Sequence, residues 1–385
     1  MNPIYLDHNA TTPIHPEVVE AMTQCYTESY ANPASQHQPG RKARKTLSDA
    51  RERIAEILGA NLTGPHGDRL VFCASATEAN NLFLLGAARA AGEEAGQIVI
   101  SAIEHNSVIE PAEHLLEQGW LLDTLAVDQN GVTRAGLLPD LLTDSAKMVS
   151  VTLGNHDTGV LQPVNELAAI CNDRGVPLHT DAVQVIGKIP VDFRKLGVAA
   201  MSLAAHKFRG PVGIGALILR HDVPILPITF GGHQQSGIRP GTESVALAVG
   251  MLKALELWQQ DQHVHSKHLQ SLRDRFEDGL RAGYPNLTIN GIQAPRLPQT
   301  SSIALPSFDG QMLLMALDMA GVACSVGSAC SSGSVELSPT LQAMGLPKEI
   351  VSRSLRFSLG ATTTEAEVDE AVRRILDVCR QLEGK

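Results

Sequence analysis

Residues 199–211, AAMSLAAHKFRGP, join an apolar run to a histidine–lysine pair and a Gly-Pro break. The apolar run from Val198 to Ala205 is typical of a buried strand, and Gly210-Pro211 ends the element that follows. Lys207 is therefore expected at the end of a buried strand. Apolar surroundings disfavour an ammonium group, which makes this amine a candidate nucleophile for Schiff-base chemistry. Taken alone, the stretch favours a surface Lys-Phe-Arg turn that carries solvated charges, because surface lysines are common.

Length, charge and cysteine content narrow the class of protein. At 385 residues the chain exceeds the size of a single core, so two domains are expected. A net charge of −10 without a basic stripe argues against nucleic acid as a direct partner. No apolar run reaches the roughly 18 residues of a membrane span, and the first residues lack the order of a signal peptide; we expect a cytoplasmic protein with no membrane partner. The six cysteines lack paired zinc-ligand spacing, which argues against a structural metal.

From residue 69 onward, the pattern of apolar residues changes and predicts an α/β sheet covered by helices. From there, short apolar runs alternate with helical patterns, with strands expected at 69–73, 97–101, 121–127, 147–153, 176–180, 199–203 and 213–219. A mostly helical stretch over 242–281 leads to a smaller α+β pattern. Ligands of such sheets gather at the carboxyl ends of the strands, so polar residues just past those ends are the first site candidates.

The first candidate is Cys73-Ala74-Ser75-Ala76-Thr77-Glu78, which follows a strand and opens a helix. Its small residues let backbone amides approach a phosphate, and a helix N-terminus favours an anion. Thr77 adds a hydroxyl. Simple N-capping by Ser75 or Thr77 is the alternative.

The second candidate is the strand end His179-Thr180-Asp181-Ala182-Val183-Gln184. A buried carboxylate needs a cationic partner, which a protonated pyridine nitrogen would supply, although a backbone or arginine partner would also serve. Gln184 is placed to contact a ring substituent. With a phosphate cradle upstream and Lys207 downstream, Asp181 completes the set that pyridoxal phosphate requires.

Two more polar segments follow predicted strands. His105, in Glu104-His105-Asn106-Ser107, would stand at the same edge of the sheet, where an imidazole can stack on a planar ring or relay a proton. A helix-start residue without a catalytic role is the alternative. Asn155 opens the polar loop 155–159, which could be a simple turn.

The carboxyl-terminal part offers a cysteine and an arginine. Gly327-Ser328-Ala329-Cys330-Ser331-Ser332-Gly333-Ser334 consists of small residues and predicts a mobile loop with an exposed, reactive thiol, against the alternative of an unremarkable surface cysteine. Cys324, on the flanking apolar run, is expected to be buried. Arg356 lies on a strand pattern and either binds a carboxylate in bidentate fashion or is a surface charge.

In combination, these motifs resemble those of the pyridoxal-phosphate-dependent cysteine desulfurases, in the NifS and IscS branch of the class V aminotransferase family. The resemblance covers nearly the whole chain, from the stretch YLDHNATTP at 5–13 to RFSLG at 356–360. It implies a fold-type-I homodimer. Its large domain, residues 15–260, would hold a mainly parallel seven-stranded sheet, and a smaller α+β domain would combine residues 1–14 with 261–385 and carry the mobile Cys330 loop.

The resemblance also implies a role for each matching residue. Lys207 would hold the cofactor as a Schiff base and remove the α-proton of L-cysteine. Cys330 would take the sulfur as a persulfide, leave L-alanine, and pass the sulfur to an acceptor protein such as an iron–sulfur scaffold. For the cofactor ring, the resemblance implies stacking by His105, pairing of the ring nitrogen with Asp181 and a contact of the ring oxygen with Gln184. For the phosphate, it implies contacts by Ala76, Thr77 and His206, and by Thr242 from the partner subunit. Asn155 and Arg356 would bind the substrate carboxylate.

Several positions depart from the family pattern. Ala204 stands where a phosphate-binding serine is common, and Ser75 replaces a glycine. His156, with Asp157, stands where Asn-Glu is usual, and Gln235 lies in a run that usually holds a Glu-Arg pair. Two alternatives stay open: a selenocysteine lyase or other pyridoxal-phosphate-dependent β-lyase, and a weakly active cofactor-binding partner protein.

Overall fold

The computed structural model describes residues 2–92, 94–327 and 337–384 of the chain. Its strands are short, and most of them coincide with the predicted apolar runs. In chain order they are β1 (Ile4–Tyr5), β2 (Arg69–Cys73), β3 (Gln97–Ser101), β4 (Leu121–Leu125), β5 (Ala146–Ser150), β6 (Leu178–Asp181), β7 (Ala200–Ala204), β8 (Gly215–Leu219), β9 (Thr288–Ile289), β10 (Thr300–Ala304), β11 (Val322–Ala323) and β12 (Ser354–Ser358).

Helices separate most of these strands. They are α1 (Pro16–Glu28), α2 (Gln38–Ile57), α3 (Ala76–Ala90), α4 (Asn106–Glu117), α5 (Leu138–Leu141), α6 (Val164–Asp173), α7 (Phe193–Leu196), α8 (Val245–Gly283), α9 (Gly310–Met319), α10 (Pro339–Ala343), α11 (Lys348–Ser352) and α12 (Glu365–Leu382). Single 3₁₀ turns occupy Ala135–Leu137, Ala205–Phe208 and Gln234–Gly237. The long helix α8 bends at Asp261, whose φ of −126° is not helical. Within the described ranges, no helix combines the length and apolarity needed to cross a bilayer.

The predicted α/β sheet is confirmed. Among the described residues it has seven strands in the order β2-β8-β7-β6-β5-β3-β4. β8 runs antiparallel to both of its neighbours, and the strands from β7 to β4 are parallel. The carboxyl ends of β2, β3, β5, β6 and β7 therefore lie at one edge of the sheet.

Alternate residues of the strands pack on opposite faces of this sheet. Val99 and Met201 join a core with α1, α2, α6 and the first half of α8. Ile98 and Ala200, their sequence neighbours, join a second core with α3 and α4. Both faces are covered, which is why these strands read as continuous apolar runs.

A third core joins the two ends of the chain. Ile4 and Leu6 pack with residues from Leu269 to Cys379, around a sheet in the order β12-β10-β9. β1 pairs in parallel with β11. The sequence did not predict either of these two-residue strands, because they are too short to show a period. The domain limits 15–260 and 1–14 with 261–385 stay a prediction.

Candidate active site

The strand ends converge on a cavity of about 200 Å³. Many of the candidate residues line it, although they come from distant parts of the chain. The sequence-predicted residues in the lining are Ala76, Thr77, His105, Asp181, Gln184, His206 and Lys207, and the departures Ser75, His156 and Ala204 lie there as well.

One end of the cavity is the N-terminus of α3. Ser75 is its N-cap, and its Oγ accepts a hydrogen bond from the Glu78 N–H at 3.1 Å. N-capping, the alternative interpretation of this motif, is therefore correct for Ser75. Gly215 of β8 packs against the helix start so closely that a Cβ there would lie 2.5 Å from the Ser75 carbonyl carbon. The first turn of α3 thus presents its amide groups to the cavity, which suits an anion.

Asp181 and His105 belong to one hydrogen-bond chain that passes through Asn80. Asn80 Nδ2 donates to Asp181 Oδ2 at 2.8 Å and to Ser107 Oγ at 2.8 Å. Ser107 Oγ in turn lies 2.8 Å from His105 Nδ1. The Val183 N–H holds the other carboxylate oxygen of Asp181 at 2.9 Å. Asn80 gives no distinctive sequence pattern, because it is a single buried polar residue on the inner face of a helix.

His105 is the N-cap of α4. Its Nδ1 accepts a hydrogen bond from the Ser107 N–H at 3.0 Å, so the proton of the neutral imidazole is on Nε2. The His156 ring meets it edge-on, with the ring centres 5.4 Å apart. Burial, reinforced by neighbouring positive charges that include Arg356 and Lys207, keeps the pKa of His156 well below its usual range. His105 therefore begins α4 and also lines the cavity.

Lys207 follows β7 and lies against the N-terminal segment of the chain. Its Nζ donates to the main-chain carbonyls of Asn9 and Ala10, at 2.9 Å in the second case. Thr12 Oγ1 donates to the His206 carbonyl at 2.6 Å. Burial lowers the pKa of His206 to about 4, with smaller effects from two lysines, so its imidazole is neutral at neutral pH.

A buried carboxyl with a raised pKa lies behind the cavity wall. Glu104 is buried, and burial raises its pKa to about 8. The Thr152 N–H donates to Glu104 Oε1 at 2.7 Å, and Ser101 Oγ also donates to it. Thr152 lines the cavity, so Glu104 supports that wall without reaching the cavity itself. No pattern in the sequence indicates this role.

Two predicted substrate ligands lie beside the cavity and do not line it. Asn155 is fully buried, and its Oδ1 accepts from the N–H groups of Asp157 and Thr158, as in a simple turn. Arg356 is buried, so the surface-charge alternative is wrong for it. Its guanidinium donates to Asp7 Oδ1 at 2.8 Å and to the His156 carbonyl at 3.2 Å.

Thr242 and Cys330 are the remaining candidates. Thr242 is exposed and does not line this cavity. Cys330 lies outside the described residues.

Comparison with known proteins identifies the family. Residues 4–371 match the aminotransferase class V family. The chain belongs to this family. It is 38% identical over 383 residues to a cysteine desulfurase of Enterobacter agglomerans, a match that covers 99% of this chain and 94% of that protein. The cysteine desulfurase NifS of Azotobacter vinelandii is 36% identical over 382 residues, with the same coverage. A solved NifS-like protein superposes with a TM-score of 0.90 at 32% identity, covering 98% of this chain and all of that one.

In this member of the class V aminotransferase family, both described flanks of the Cys330 segment contact Asp157. Ser338 Oγ donates to Asp157 Oδ2, and a Cβ on Gly327 would lie 2.6 Å from the Asp157 carboxylate. Burial raises the pKa of Asp157. The described residues Gly327 and Ser338, on either side of the Cys330 segment, therefore both lie beside Asp157, the residue that follows His156 of the cavity.

Cys324 differs from the prediction, because it is half-buried. Burial raises the pKa of its thiol to about 12, so the thiolate form is scarce at neutral pH. Within the described part of the chain, no group of three metal-ligating side chains is arranged to hold an ion.

The Gln235 departure has a structural explanation in this family member. Its side-chain amide pairs with the backbone of Phe72, accepting from the N–H at 2.6 Å and donating to the carbonyl at 2.8 Å. Phe72 belongs to β2, an edge strand. Gln235 therefore satisfies backbone groups that an edge strand leaves open.

Proposed function

We propose that this chain is a pyridoxal-phosphate-dependent cysteine desulfurase. It converts L-cysteine to L-alanine and carries the sulfur as a persulfide on Cys330. The observation that carries this proposal is the cavity at the strand ends, where the amine of Lys207, the carboxylate of Asp181 and the N-terminus of α3 meet in a chain of this family.

The residues of the cavity fit the cofactor. The first turn of α3, with Ala76 and Thr77, suits the phosphate, and the neutral His206 adds a polar contact. Asp181, fixed by Asn80, suits a protonated ring nitrogen. We assign Gln184 to the ring oxygen, His105 to the ring face and Lys207 to the covalent link. When bound, the cofactor supplies an electron sink for the carbanion at the substrate's α-carbon.

Lys207 and Cys330 perform the steps that belong to the protein. Once the substrate displaces it, the Lys207 amine removes the α-proton as a general base. The Cys330 thiolate attacks the substrate sulfur, and an S–S bond forms as the C–S bond breaks. The electron pair of the broken bond stays with carbon, which takes up a proton and becomes the methyl group of alanine.

Substrate orientation is assigned to Arg356 and Asn155. Arg356 Nε has no hydrogen-bond partner among the described residues, although the group is buried. A substrate carboxylate would satisfy it and would share the guanidinium with Asp7. The proposal further includes a homodimer with Thr242 at the partner's phosphate and an acceptor protein, such as an iron–sulfur scaffold, for the sulfur.

Separate replacement of Cys330 and of Cys324, which are close in sequence, tests the proposal. Cys330→Ser is expected to lose alanine and sulfide production from L-cysteine with a thiol reductant, while the cofactor's visible absorbance is retained. Cys324→Ser is the matched control, since its poorly ionised thiol has no proposed role, and it is expected to keep activity within about twofold of the native enzyme. Unchanged turnover in Cys330→Ser would refute the persulfide mechanism, and a colourless protein after reconstitution would refute the cofactor.

A further inference from the structure

A second cavity borders the residues that follow Lys207 and shares no lining residue with the strand-end site. It encloses about 360 Å³. Its wall is formed by the N-terminal segment, the turn after Lys207, the middle of α8 and the loop 360–362, together with Lys188. Lys207 itself is not in the lining, so this cavity is separate from the proposed active site.

Lys188 is a buried cation in this wall without a counter-ion. Its side chain is 5% exposed, and its Nζ donates to the main-chain carbonyl of Lys207. Among the described residues, no carboxylate lies within 4.0 Å of it. Burial, reinforced by the cations of Lys207 and Arg209, lowers its pKa to about 7. An anion that approaches a buried ammonium group stabilises its charged form.

Arg209 supplies a second cation to the same cavity. Its φ of 65° lies in the left-handed region, which is unusual for a residue with a side chain. The backbone is held there by a bond from its N–H to Thr12 Oγ1 at 2.8 Å and one from the His15 N–H to its carbonyl at 3.0 Å. Its Nε is buried and lacks a partner in the described ranges. The turn thus fixes a guanidinium with an unused donor at the cavity wall.

A third unused donor completes the polar part of the wall. The indole Nε1 of Trp258, on α8, is buried and has no partner among the residues described. Asp261 and Glu17 also line the cavity, but neither is within ion-pair distance of Lys188 or Arg209, and Glu17 pairs with Lys253 at 2.8 Å. Burial lowers the pKa of His8 and of His265 to about 4 and also lowers that of His15, so these imidazoles are neutral at neutral pH.

We propose that this cavity is a binding site for a small oxyanion, a carboxylate or phosphate group, held by Lys188, Arg209 and the indole N–H of Trp258. Lys188, Arg209 and Trp258 all line this cavity of about 360 Å³, and Arg209 Nε and Trp258 Nε1 are buried without a hydrogen-bond partner among the described residues. Charge-assisted hydrogen bonds from a guanidinium and an ammonium suit oxygen anions. Lys188 also donates to the Lys207 carbonyl, so a ligand bound to Lys188 would be linked through that side chain to the backbone of the proposed cofactor lysine.

The two tryptophans of the chain make a direct binding test possible. They are Trp120 and Trp258, and only Trp258 lines this cavity. The holoenzyme labelled with fluorotryptophan should give two fluorine NMR resonances, assigned with Trp120→Phe and Trp258→Phe. Titration with inorganic phosphate or acetate is expected to shift the Trp258 resonance to saturation, with the Trp120 resonance of the same sample as the internal control. Sodium chloride at equal ionic strength is expected to shift neither.

Variants of the two cations decide whether the response comes from this site. Arg209→Asn keeps a residue that tolerates a positive φ, and Lys188→Met keeps the length of the buried side chain; each is expected to weaken phosphate binding at least about tenfold. Arg53→Asn removes an arginine of α2 that does not line the cavity and is expected to leave the titration unchanged. The proposal is overturned if neither anion saturates the shift by about 10 mM, if chloride reproduces it, or if a correctly folded Arg209→Asn protein binds phosphate as tightly as the native protein.

Discussion

This chain has a hydroxyl group at position 75, where the family pattern has glycine, and none at position 204, where the family pattern has serine. Both positions lie next to Gly215. Ala204 pairs with Gly215 in the sheet, and Gly215 packs directly on Ser75. Both side chains line the cavity at the end proposed for the phosphate. The Ser75 hydroxyl accepts from the Glu78 N–H, and its own proton is available for an anion. The serine expected at position 204 is therefore absent, but a hydroxyl donor remains at the same end of the cavity.

This exchange predicts compensation between the two positions. Ser75→Gly is expected to weaken pyridoxal phosphate binding by about tenfold, because a hydrogen bond to a charged group is lost, while glycine at the N-cap costs the helix little. Adding Ala204→Ser to Ser75→Gly should restore most of the affinity, as measured from visible absorbance during reconstitution. Ala204→Cys in the same background is the control, since a thiol of similar size is a weak donor. Equal affinity in the native and Ser75→Gly proteins would show that Ser75 does not hold the phosphate.

The N-terminal segment, residues 5–13, has no periodic sequence pattern, yet it makes several hydrogen bonds to residues of the site. Asn9 offers its carbonyl to Lys207 and to Gln184 Nε2, while its Nδ2 donates to the His156 carbonyl at 3.1 Å. Asp7 holds the guanidinium of Arg356. The segment brings only the two-residue strand β1 to the fold, so it shows no period. It supports the site through contacts with lining residues that lie far away in the chain.

The flank of the Cys330 segment permits a test with two glycines of similar backbone conformation. Gly327 has φ 80° and Gly345 has φ 70°, so alanine strains both turns alike. Only at Gly327 would the new methyl meet a neighbour, the Asp157 carboxylate. Gly327→Ala is therefore expected to slow sulfide release at least about tenfold, while cofactor absorbance is kept.

Gly345→Ala is the control for backbone strain alone, because open space surrounds that glycine. It is expected to lose stability by roughly 1 kcal/mol and to keep its turnover. Equal turnover in the two variants would mean that the approach of Gly327 to Asp157 has no effect on sulfur transfer.

The strand ends show what the sequence can and cannot predict. Lys207, Asp181 and His105 were found because parallel strands bring their carboxyl ends to one edge, a rule that needs only the order of apolar runs. Asn80 and Asp7 were missed, because their roles depend on contacts across the fold. The α/β sheet was predicted from local patterns, whereas β1 and β11 exist only because they pair with each other.

On the scale of the whole molecule, burial keeps several histidines neutral in different parts of the fold. His179, in β6, is fully buried, with its nitrogens 2.9 Å from Ser150 Oγ and 2.8 Å from Ser202 Oγ. Its ring stacks on Phe83, with the centres 4.8 Å apart. Burial lowers its pKa to about 3, and lowers those of His8 and His265 to about 4. The folded protein thus binds fewer protons than the unfolded chain in mild acid.

This difference predicts that the free energy of unfolding falls as pH decreases from about 6.5 towards 3. The unfolded chain protonates its histidines below their ordinary pKa of 6.5, whereas His179 stays neutral in the folded state, so His179 contributes nothing to the pH dependence above 6.5 and costs about 2 kcal/mol at about pH 5. His179→Gln is expected to lower stability at pH 7.5 through lost packing, but to reduce the loss between pH 7.5 and 5 by that amount, as measured from urea unfolding midpoints. His263→Gln, at an exposed position, is the control and should leave the pH dependence of the free energy of unfolding unchanged. The same slope in His179→Gln and the native protein would contradict the prediction, because a histidine that protonates in both states cannot link folding to pH.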